Sequence, residues 1–383
     1  MLAIPLLCHP AWQKAATSNV IRDNTLRFAK PFIAYIKECV ILMQVNDQRT
    51  LGASGLVVPT MGVGIWSWGD KNFWGYGQSF TRDDVLQAYH ACLDNGLNFF
   101  DTAEIYGDGE SERLLGECRK QDERPIVIAS KFAPPFTRFS RKRTSARSLL
   151  DALDDSLQRL GVEQIDLYQI HWASPVLKMD ALMDVLAEAV QANKIRAVGV
   201  SNYSAELMRE AHARLARYNI PLASNQVHYS LLHRFPETNG VLDTCRELNV
   251  ALIAYAPLEQ GILSGKFRTG GSRSLGRHLY PRLDLYGQTK GSVSTFRRLL
   301  YGARNMRPQK LEPLFSVLEE IAQAHGKTIA QVALNWLISK DTCVIPIPGA
   351  KNVRQVNENA GALGWRLTEE EQARISQIEV ATR

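Results

Sequence analysis

Four polar side chains follow the ends of three successive apolar segments of this chain. Asp101 and Tyr106 come after the segment Leu97–Phe100. Lys131 closes a second apolar segment, and His171 closes a third. A phenol has an ordinary pKa of about 10, but a nearby lysine cation should lower it, and a carboxylate should keep that lysine charged. Such a tyrosine could protonate the oxygen of a carbonyl group under hydride attack, while the histidine orients that oxygen.

Each of these residues also has a simpler interpretation when taken alone. An aspartate after a strand can cap a helix, a lysine is more often a solvated charge, and a histidine can be a wall residue with satisfied polar atoms. The elements that carry the residues therefore decide whether they form one site.

The chain around these residues alternates between short apolar runs and longer amphipathic segments, which are typical of buried strands and helices. Eight core strands are predicted: Met61–Ile65, Leu97–Asp101, Ile126–Lys131, Ile165–His171, Ile195–Val200, Leu222–Val227, Val250–Tyr255 and Cys343–Ile347. Helices are predicted at Thr81–Asn95, Glu110–Cys118, Arg143–Leu160, Met179–Ala192, Ala205–Tyr218, Pro236–Leu248, Leu311–His325, Ile329–Ile338, Val353–Gly361 and Thr368–Ile378. A small hairpin is predicted before them, at Leu51–Pro59.

This order predicts an α/β protein with a closed (β/α)8 barrel, the TIM barrel. The alternative is an open doubly wound sheet, which requires a phosphate-binding glycine-rich turn after its first strand. Gly62 and Gly64 begin such a pattern, but Ser67 stands where its last glycine is needed. Barrel enzymes place catalytic groups at the carboxyl ends of their strands, and neighbouring strands lie about 4.8 Å apart. We therefore expect the polar side chains at the second, third and fourth strand ends to meet.

Charge and composition exclude several classes of protein. The formal net charge is +6, from 45 basic and 39 acidic residues, which is too mild to indicate nucleic-acid binding. The excess lies in Lys266–Lys310, where Asp284 is the one acidic residue. This segment is predicted to be a long basic loop after the seventh strand, either a solvated insertion or a lid over an anionic ligand. Six widely spaced cysteines without metal-ligand spacing predict free thiols and no metal site.

Residues 1–47 differ from the rest and are predicted to be a poorly ordered N-terminal extension, followed by the barrel domain at 48–383. The start lacks the basic residues of a signal peptide, and the apolar stretch Pro31–Val45 is too short and too charged to span a bilayer. We therefore expect no membrane partner and a cytoplasmic protein, or a plastid one if the chain is from a plant. The oligomeric state stays open.

Two motifs at the second strand carry a family resemblance. The sequence D-T-A-E-I-Y-G at 101–107, followed by E-R-L-L-G at 112–116, is similar to the signature of the aldo-keto reductase family. The resemblance extends from Arg49 to Glu379. It implies that Asp101, Tyr106, Lys131 and His171 form the catalytic tetrad. It also implies NADPH-dependent reduction of an aldehyde or ketone to an alcohol, with Tyr106 as general acid/base and the cofactor bound across the barrel mouth without a Rossmann domain.

The same resemblance implies which residues bind NADPH. Those expected near the nicotinamide and its ribose are Gly64, Ile65, Trp66, Ser201, Asn202, Gln226 and the stacking Tyr255. Those expected in the diphosphate-binding loop are Ala256, Pro257, Leu258, Gln260, Gly261, Ser264 and Lys266. Those expected at the adenosine end are Gly349, Lys351, Gln355, Glu358 and Asn359. Lys351 could meet a 2′-phosphate, which favours NADPH over NADH. The chain departs from the pattern at Ile65, where many members carry Thr, and at Ala256, where Ser is common.

The substrate pocket is predicted to be walled by Trp66, Trp68 and Trp172 beside Tyr106, which suits an aromatic or apolar carbonyl compound. The Trp-Ser-Trp-Gly loop at 66–69 resembles the branch of the family that includes plant plastid pyridoxal reductases, which makes pyridoxal a candidate substrate. The alternative function is an NADPH-binding sensor or regulatory subunit with little turnover, similar to the potassium-channel β subunits of the superfamily. The presence of His171 favours the enzyme.

Overall fold

A computed structural model describes residues 47–71, 74–135, 145–266 and 308–378. Its strands are β1 (Gln48–Thr50), β2 (Val57–Pro59), β3 (Val63–Gly64), β4 (Phe99–Asp101), β5 (Val127–Phe132), β6 (Ile165–Ile170), β7 (Ile195–Ser201), β8 (Leu222–His228), β9 (Ala251–Tyr255) and β10 (Val344–Pro346). Its α-helices are α1 (Arg82–Asp94), α2 (Glu110–Gln121), α3 (Ser148–Leu160), α4 (Met179–Gln191), α5 (Ala205–Ala216), α6 (Val241–Leu248), α7 (Pro308–His325), α8 (Ile329–Lys340), α9 (Val353–Ala360) and α10 (Glu369–Gln377).

Strands β3 to β10 form one parallel sheet in which each strand pairs with the next along the chain. The two edges meet through backbone hydrogen bonds, from Gly62 N to Pro346 O at 3.0 Å and from Gly64 N to Pro348 O at 3.1 Å. A Cβ atom on Gly64 would lie 2.9 Å from the carbonyl oxygen of Ile347, so glycine permits the close approach at this seam. The predicted eight-stranded (β/α)8 barrel is confirmed.

The antiparallel hairpin of β1 and β2 covers the amino-terminal end of the barrel, where Gly52 lies against Ala223 and Val250. Leu51, Leu56 and Val58 are buried from this hairpin against the small interior side chains Ala223 and Ala251. A second and larger apolar layer lies between the strands and the surrounding helices. Both layers are apolar, whereas Asp101 and Lys131 lie at the carboxyl ends of their strands.

Two predicted helices differ from the observed ones by more than three residues at one end. The helix predicted from Arg143 begins at Ser148, after a turn at residues 145–147. The helix predicted at Pro236–Leu248 is divided into a short 3-10 turn at Phe235–Glu237 and α6, whose N-cap Gly240 has a left-handed φ of 81°. Helix α1 has Thr81 as its N-cap, in a capping box with Asp84.

Several predictions fall outside the described residues. They concern the N-terminal extension at 1–46 and most of the basic loop, at 267–307. Within the part of the chain that the structure describes, no helix is long and apolar enough to cross a membrane.

Candidate active site

Lys131 and Asp101 form the buried centre of the site. The two residues leave the adjacent strands β5 and β4, and Lys131 Nζ lies 2.6 Å from Asp101 Oδ1. The ammonium also donates to the backbone oxygen of Thr102 at 2.7 Å. Burial lowers the pKa of Lys131, and the Asp101 carboxylate opposes that effect. The pair therefore keeps a cation in a place that the apolar barrel would otherwise disfavour.

Tyr106 begins a single 3-10 turn after β4, and its hydroxyl lies 3.3 Å from Lys131 Nζ. The chain can turn here because Gly107 has a φ of 56° and no Cβ, which would lie 2.9 Å from the backbone of Gly69. Burial and the Asp101 carboxylate raise the pKa of the phenol well above its ordinary value. The prediction that the nearby lysine cation leaves this phenol with a lowered pKa is therefore wrong. The neutral phenol is therefore the resting form, which is the form that donates a proton.

His171 follows β6, and its backbone N–H donates to Phe132 O at 2.9 Å. The imidazole stacks on Trp172 with ring centroids 3.7 Å apart and stands edge-on to Tyr106 at 5.8 Å. Burial, and then the charge of Lys131, lower the pKa of His171 well below its ordinary value. Its Nδ1 is buried and has no hydrogen-bond partner among the described residues. A neutral imidazole beside the phenol is suited to hold a substrate oxygen.

Two glutamines complete the surroundings of Asp101. Its Oδ2 accepts a hydrogen bond from Gln226 Nε2 at 2.7 Å and one from Gln169 Nε2 at 3.3 Å. Gln226 is predicted as a cofactor contact, but the role of Gln169 is missed from the sequence. The available signal is that Gln169 lies two positions before His171 in the predicted strand Ile165–His171, where side chains two positions apart point to the same face. The carboxylate is thus held from both sides, with Lys131 on the other oxygen.

The predicted nicotinamide contacts lie on the same rim of the barrel. Asn202 has a φ of 60°, donates from Nδ2 to His171 O at 3.1 Å, and accepts the Tyr255 hydroxyl at 2.9 Å on Oδ1. Ser201 Oγ donates to Gln226 O at 2.8 Å. The structure therefore links β6, β7, β8 and β9 through polar side chains immediately beside the candidate tetrad.

The predicted diphosphate loop, residues 256–266, has an unusual backbone. Three non-glycine residues, Ala256, Glu259 and Gln260, have φ values of 52°, 47° and 54°. Gly261 has a φ of 93°, and a Cβ there would lie 2.5 Å from Lys266 Nζ. Gln260 Oε1 is buried without a hydrogen-bond partner among the described residues. Gly261 leaves the space beside the Lys266 ammonium open, and such a backbone next to a cation suits an anionic group. The loop therefore fits the diphosphate of a dinucleotide.

The predicted adenosine end lies between β10 and α9. Lys351 Nζ is 5.1 Å above the Trp74 ring and 5.0 Å above the Phe80 ring. The backbone N–H of Lys351 donates to Gln355 Oε1 at 2.9 Å, and Asn359 Nδ2 donates to Gly349 O at 3.3 Å. The Glu358 carboxylate accepts the hydroxyl of Thr328 at 2.6 Å. The Trp74 and Phe80 rings thus hold the Lys351 ammonium by cation–π contacts. The side-chain amides of Gln355 and Asn359 hold the backbone of residues 349–351 by hydrogen bonds.

The three tryptophans predicted to line the substrate pocket lie in different environments. Trp66 is partly exposed, with its ring centroid 6.1 Å from that of Tyr106, and Trp172 stacks on His171. Trp68 has no exposed surface and donates from Nε1 to Ala350 O at 2.8 Å. The prediction that Trp68 lines the substrate pocket is wrong, because its indole ring is fully buried in the core.

Ile65 is likewise fully buried, with its N–H bonded to Asp101 O and its carbonyl accepting the Ser111 hydroxyl. This placement does not support its predicted cofactor contact, since both backbone groups are used within the protein. Among the residues described here, no cluster of three or more His, Cys, Asp and Glu side chains could hold a metal ion.

Comparisons with known proteins place the chain in a family. A sequence profile of the aldo/keto reductase family matches residues 60–380. The chloroplastic pyridoxal reductase of Arabidopsis thaliana is 38% identical over 339 residues, which cover 84% of this chain and 83% of that protein. An uncharacterized oxidoreductase of Mycobacterium tuberculosis is 37% identical over 81% of this chain and 86% of its own length.

A solved structure agrees with these sequence relatives. An aldo-keto reductase from Klebsiella pneumoniae, in complex with NADPH, superposes with a TM-score of 0.61 at 27% identity and covers 86% of this chain and 94% of its own. The chain belongs to the aldo/keto reductase family and is an oxidoreductase.

Proposed function

We propose that this aldo/keto reductase uses NADPH to reduce an aldehyde or ketone to an alcohol, with Tyr106 as the proton donor. The observation that carries the proposal is the contact of the Tyr106 hydroxyl with Lys131 Nζ at 3.3 Å, while Asp101 holds the same ammonium at 2.6 Å. A neutral phenol next to a buried cation can release a proton as negative charge develops nearby, because the cation stabilises the phenolate that is left.

NADPH is proposed as the cofactor on two grounds. The family relationship and the NADPH complex of the Klebsiella pneumoniae relative support it. The residues of this chain also fit, because Gly261 leaves room beside the Lys266 ammonium for a diphosphate, and Lys351, over the Trp74 ring, supplies a cation for a further phosphate group. When bound, NADPH supplies the hydride.

The chain's own residues then perform the proton chemistry. His171 is neutral and offers a ring nitrogen to the substrate oxygen, which orients that oxygen toward Tyr106. Tyr106 donates its proton to the same oxygen. Lys131 stabilises the phenolate, and Asp101 keeps the ammonium in position. In the direction of alcohol oxidation, the phenolate accepts the proton instead.

Pyridoxal, an aromatic aldehyde, is the proposed substrate. The chloroplastic pyridoxal reductase of Arabidopsis thaliana is 38% identical to this chain. Trp66 and the stacked pair of His171 and Trp172 flank Tyr106 and present flat surfaces to a ring.

The test follows NADPH absorbance with purified protein and a panel of aldehydes that includes pyridoxal, benzaldehyde and glyceraldehyde. We expect turnover with pyridoxal at a higher kcat/KM than with glyceraldehyde, since the latter lacks a ring. Turnover with other carbonyls but not pyridoxal would reject the substrate and keep the reaction. NADPH binding without turnover of any carbonyl would reject the enzyme and support the sensor.

A further inference from the structure

A pair of ionisable side chains outside the tetrad connects β8 with the loop after β9. His228 is the last residue of β8, and its Nε2 lies 2.6 Å from Glu259 Oε1. The same carboxylate oxygen accepts the Ser230 hydroxyl at 2.5 Å. Glu259 is 5% exposed, so the carboxylate is removed from water and depends on these two donors.

Glu259 is charged in this position. Burial alone would raise its pKa, but the hydrogen bond and charge of His228, with the Ser230 hydroxyl, bring the pKa below its ordinary value. A buried carboxylate with a histidine donor resists separation, because either partner left alone would be a buried polar group without compensation.

The backbone of Glu259 lies within the strained part of the predicted diphosphate loop. Ala256, Glu259 and Gln260 all occupy the left-handed region, which non-glycine residues adopt at a cost in free energy. Such conformations persist where the surrounding structure imposes them. The side chain of Glu259 supplies that constraint, since it ties the middle of the strained run to the end of β8.

The other partner of the pair orients an aromatic ring. The His228 imidazole is nearly parallel to the Tyr255 ring, with centroids 5.4 Å apart and planes 12° apart. On its other side it stacks on His233 at 4.0 Å. Tyr255 is the residue predicted to stack on the nicotinamide, and its hydroxyl is fixed by Asn202 at 2.9 Å. The His228 and Tyr255 rings therefore lie nearly parallel.

We propose that His228 and Glu259 are positioning residues for cofactor binding. The pair holds the diphosphate loop in its left-handed conformation and holds Tyr255 parallel to the ring it would contact. Neither residue touches the reacting atoms. The inference rests on the proposed function, because it concerns the same cofactor.

The test measures the Kd of NADPH by fluorescence titration for the full chain and for Glu259→Gln, which keeps the size of the side chain and removes its charge. Loss of a hydrogen bond to a charged group at this loop is expected to raise the Kd by about tenfold. His228→Gln is expected to do the same, and the double variant should be no weaker than either single variant, since one interaction is removed in all three.

Glu371→Gln is the matched control. His325 and Glu371 form a second pair of the same kind, with Nε2 and Oε1 2.7 Å apart, between α7 and α10. This variant should bind NADPH as the wild type does. Its thermal unfolding, compared with that of Glu259→Gln, separates loss of stability from loss of cofactor affinity. In turnover, Glu259→Gln should raise the KM for NADPH more than it lowers kcat at saturating cofactor.

Three outcomes overturn the proposal. Wild-type protein that does not bind NADPH removes the proposed function together with this inference. Wild-type binding with an unchanged Kd in both Glu259→Gln and His228→Gln removes the inference alone. A lower melting temperature with an unchanged Kd assigns the pair a purely structural role. Should Glu259→Gln fail to fold, His228→Gln decides, because the carboxylate there keeps its hydrogen bond to Ser230.

Discussion

Lys131 Nζ lies 2.6 Å from Asp101 Oδ1, and the pair has almost no exposed surface. A single buried ammonium would be strongly disfavoured, so the carboxylate is required for the lysine to be charged next to Tyr106. The carboxylate is in turn held by Gln226 and Gln169 on its other oxygen. The phenol therefore faces a cation that is held in place by residues from four strands, β4, β5, β6 and β8.

Replacement of Tyr106 by Phe tests the proton donor. We expect kcat to fall by about 10²–10⁴-fold, because general acid catalysis of this kind contributes that much, while the Kd of NADPH changes little. The absorbance of NADPH during turnover gives kcat, and fluorescence titration gives the Kd of NADPH. The control is Tyr218→Phe, whose hydroxyl donates to Asp184 at the surface. Turnover of Tyr106→Phe at the wild-type rate would reject the mechanism.

Replacement of Lys131 by Met tests the buried pair. The Asp101 carboxylate would keep its glutamine donors but lose its counter-charge, and breaking such a pair costs about 3–5 kcal/mol of the free energy of unfolding. Urea unfolding followed by circular dichroism measures this loss. Arg209→Met is the control, because Arg209 and Glu247 form an exposed pair that contributes little. Equal destabilisation by the two variants would contradict the argument.

Replacement of His233 by Gln tests the link between burial and pH dependence. Burial, and then the charge of His228, lower the pKa of His233 to about 4. The unfolded histidine has a pKa of about 6.5, so between these values the unfolded chain binds a proton that the folded chain does not. Stability therefore falls as the pH falls from 6.5 toward 4.

The variant should lose this part of the acid dependence. Its free energy of unfolding should change less steeply with pH in that window, by at most about 1.4 kcal/mol per pH unit, and by less where solvent screens the partly exposed ring. Urea unfolding at a series of pH values measures both slopes. Parallel curves for the variant and the wild type would show that His233 titrates alike in both states.

Replacement of Lys351 by Met tests the predicted 2′-phosphate contact. We expect the Kd of NADPH to rise by about tenfold or more, since a charge-assisted hydrogen bond is lost, while the Kd of NADH stays the same. Lys327→Met is the matched control, because Lys327 also lies over an indole, that of Trp365 at 5.6 Å. An equal change for both cofactors would mean that Lys351 supports the loop and does not read the phosphate.

The sequence by itself determined the barrel and the placement of its polar groups. Periodicity is a local property, so the alternation of apolar runs and amphipathic segments predicted all eight strands. Residue types at the ends of three consecutive strands were enough to predict that Asp101, Tyr106, Lys131 and His171 would meet, because parallel strands bring those ends to one rim. The start of α6 after Gly240 was missed, since tertiary context can override local helix propensity.

The tertiary structure alone decided the electrostatics and the partners of these groups. Whether the pKa of Tyr106 is raised or lowered depends on how much water the fold excludes, and the spacing of residues does not reveal this. Trp68 donates its indole hydrogen bond to Ala350, and the contact of Gln226 with Asp101 joins residues 125 positions apart. Desolvation and long-range hydrogen bonds arise from segments that meet only after folding, so they lie beyond any local pattern.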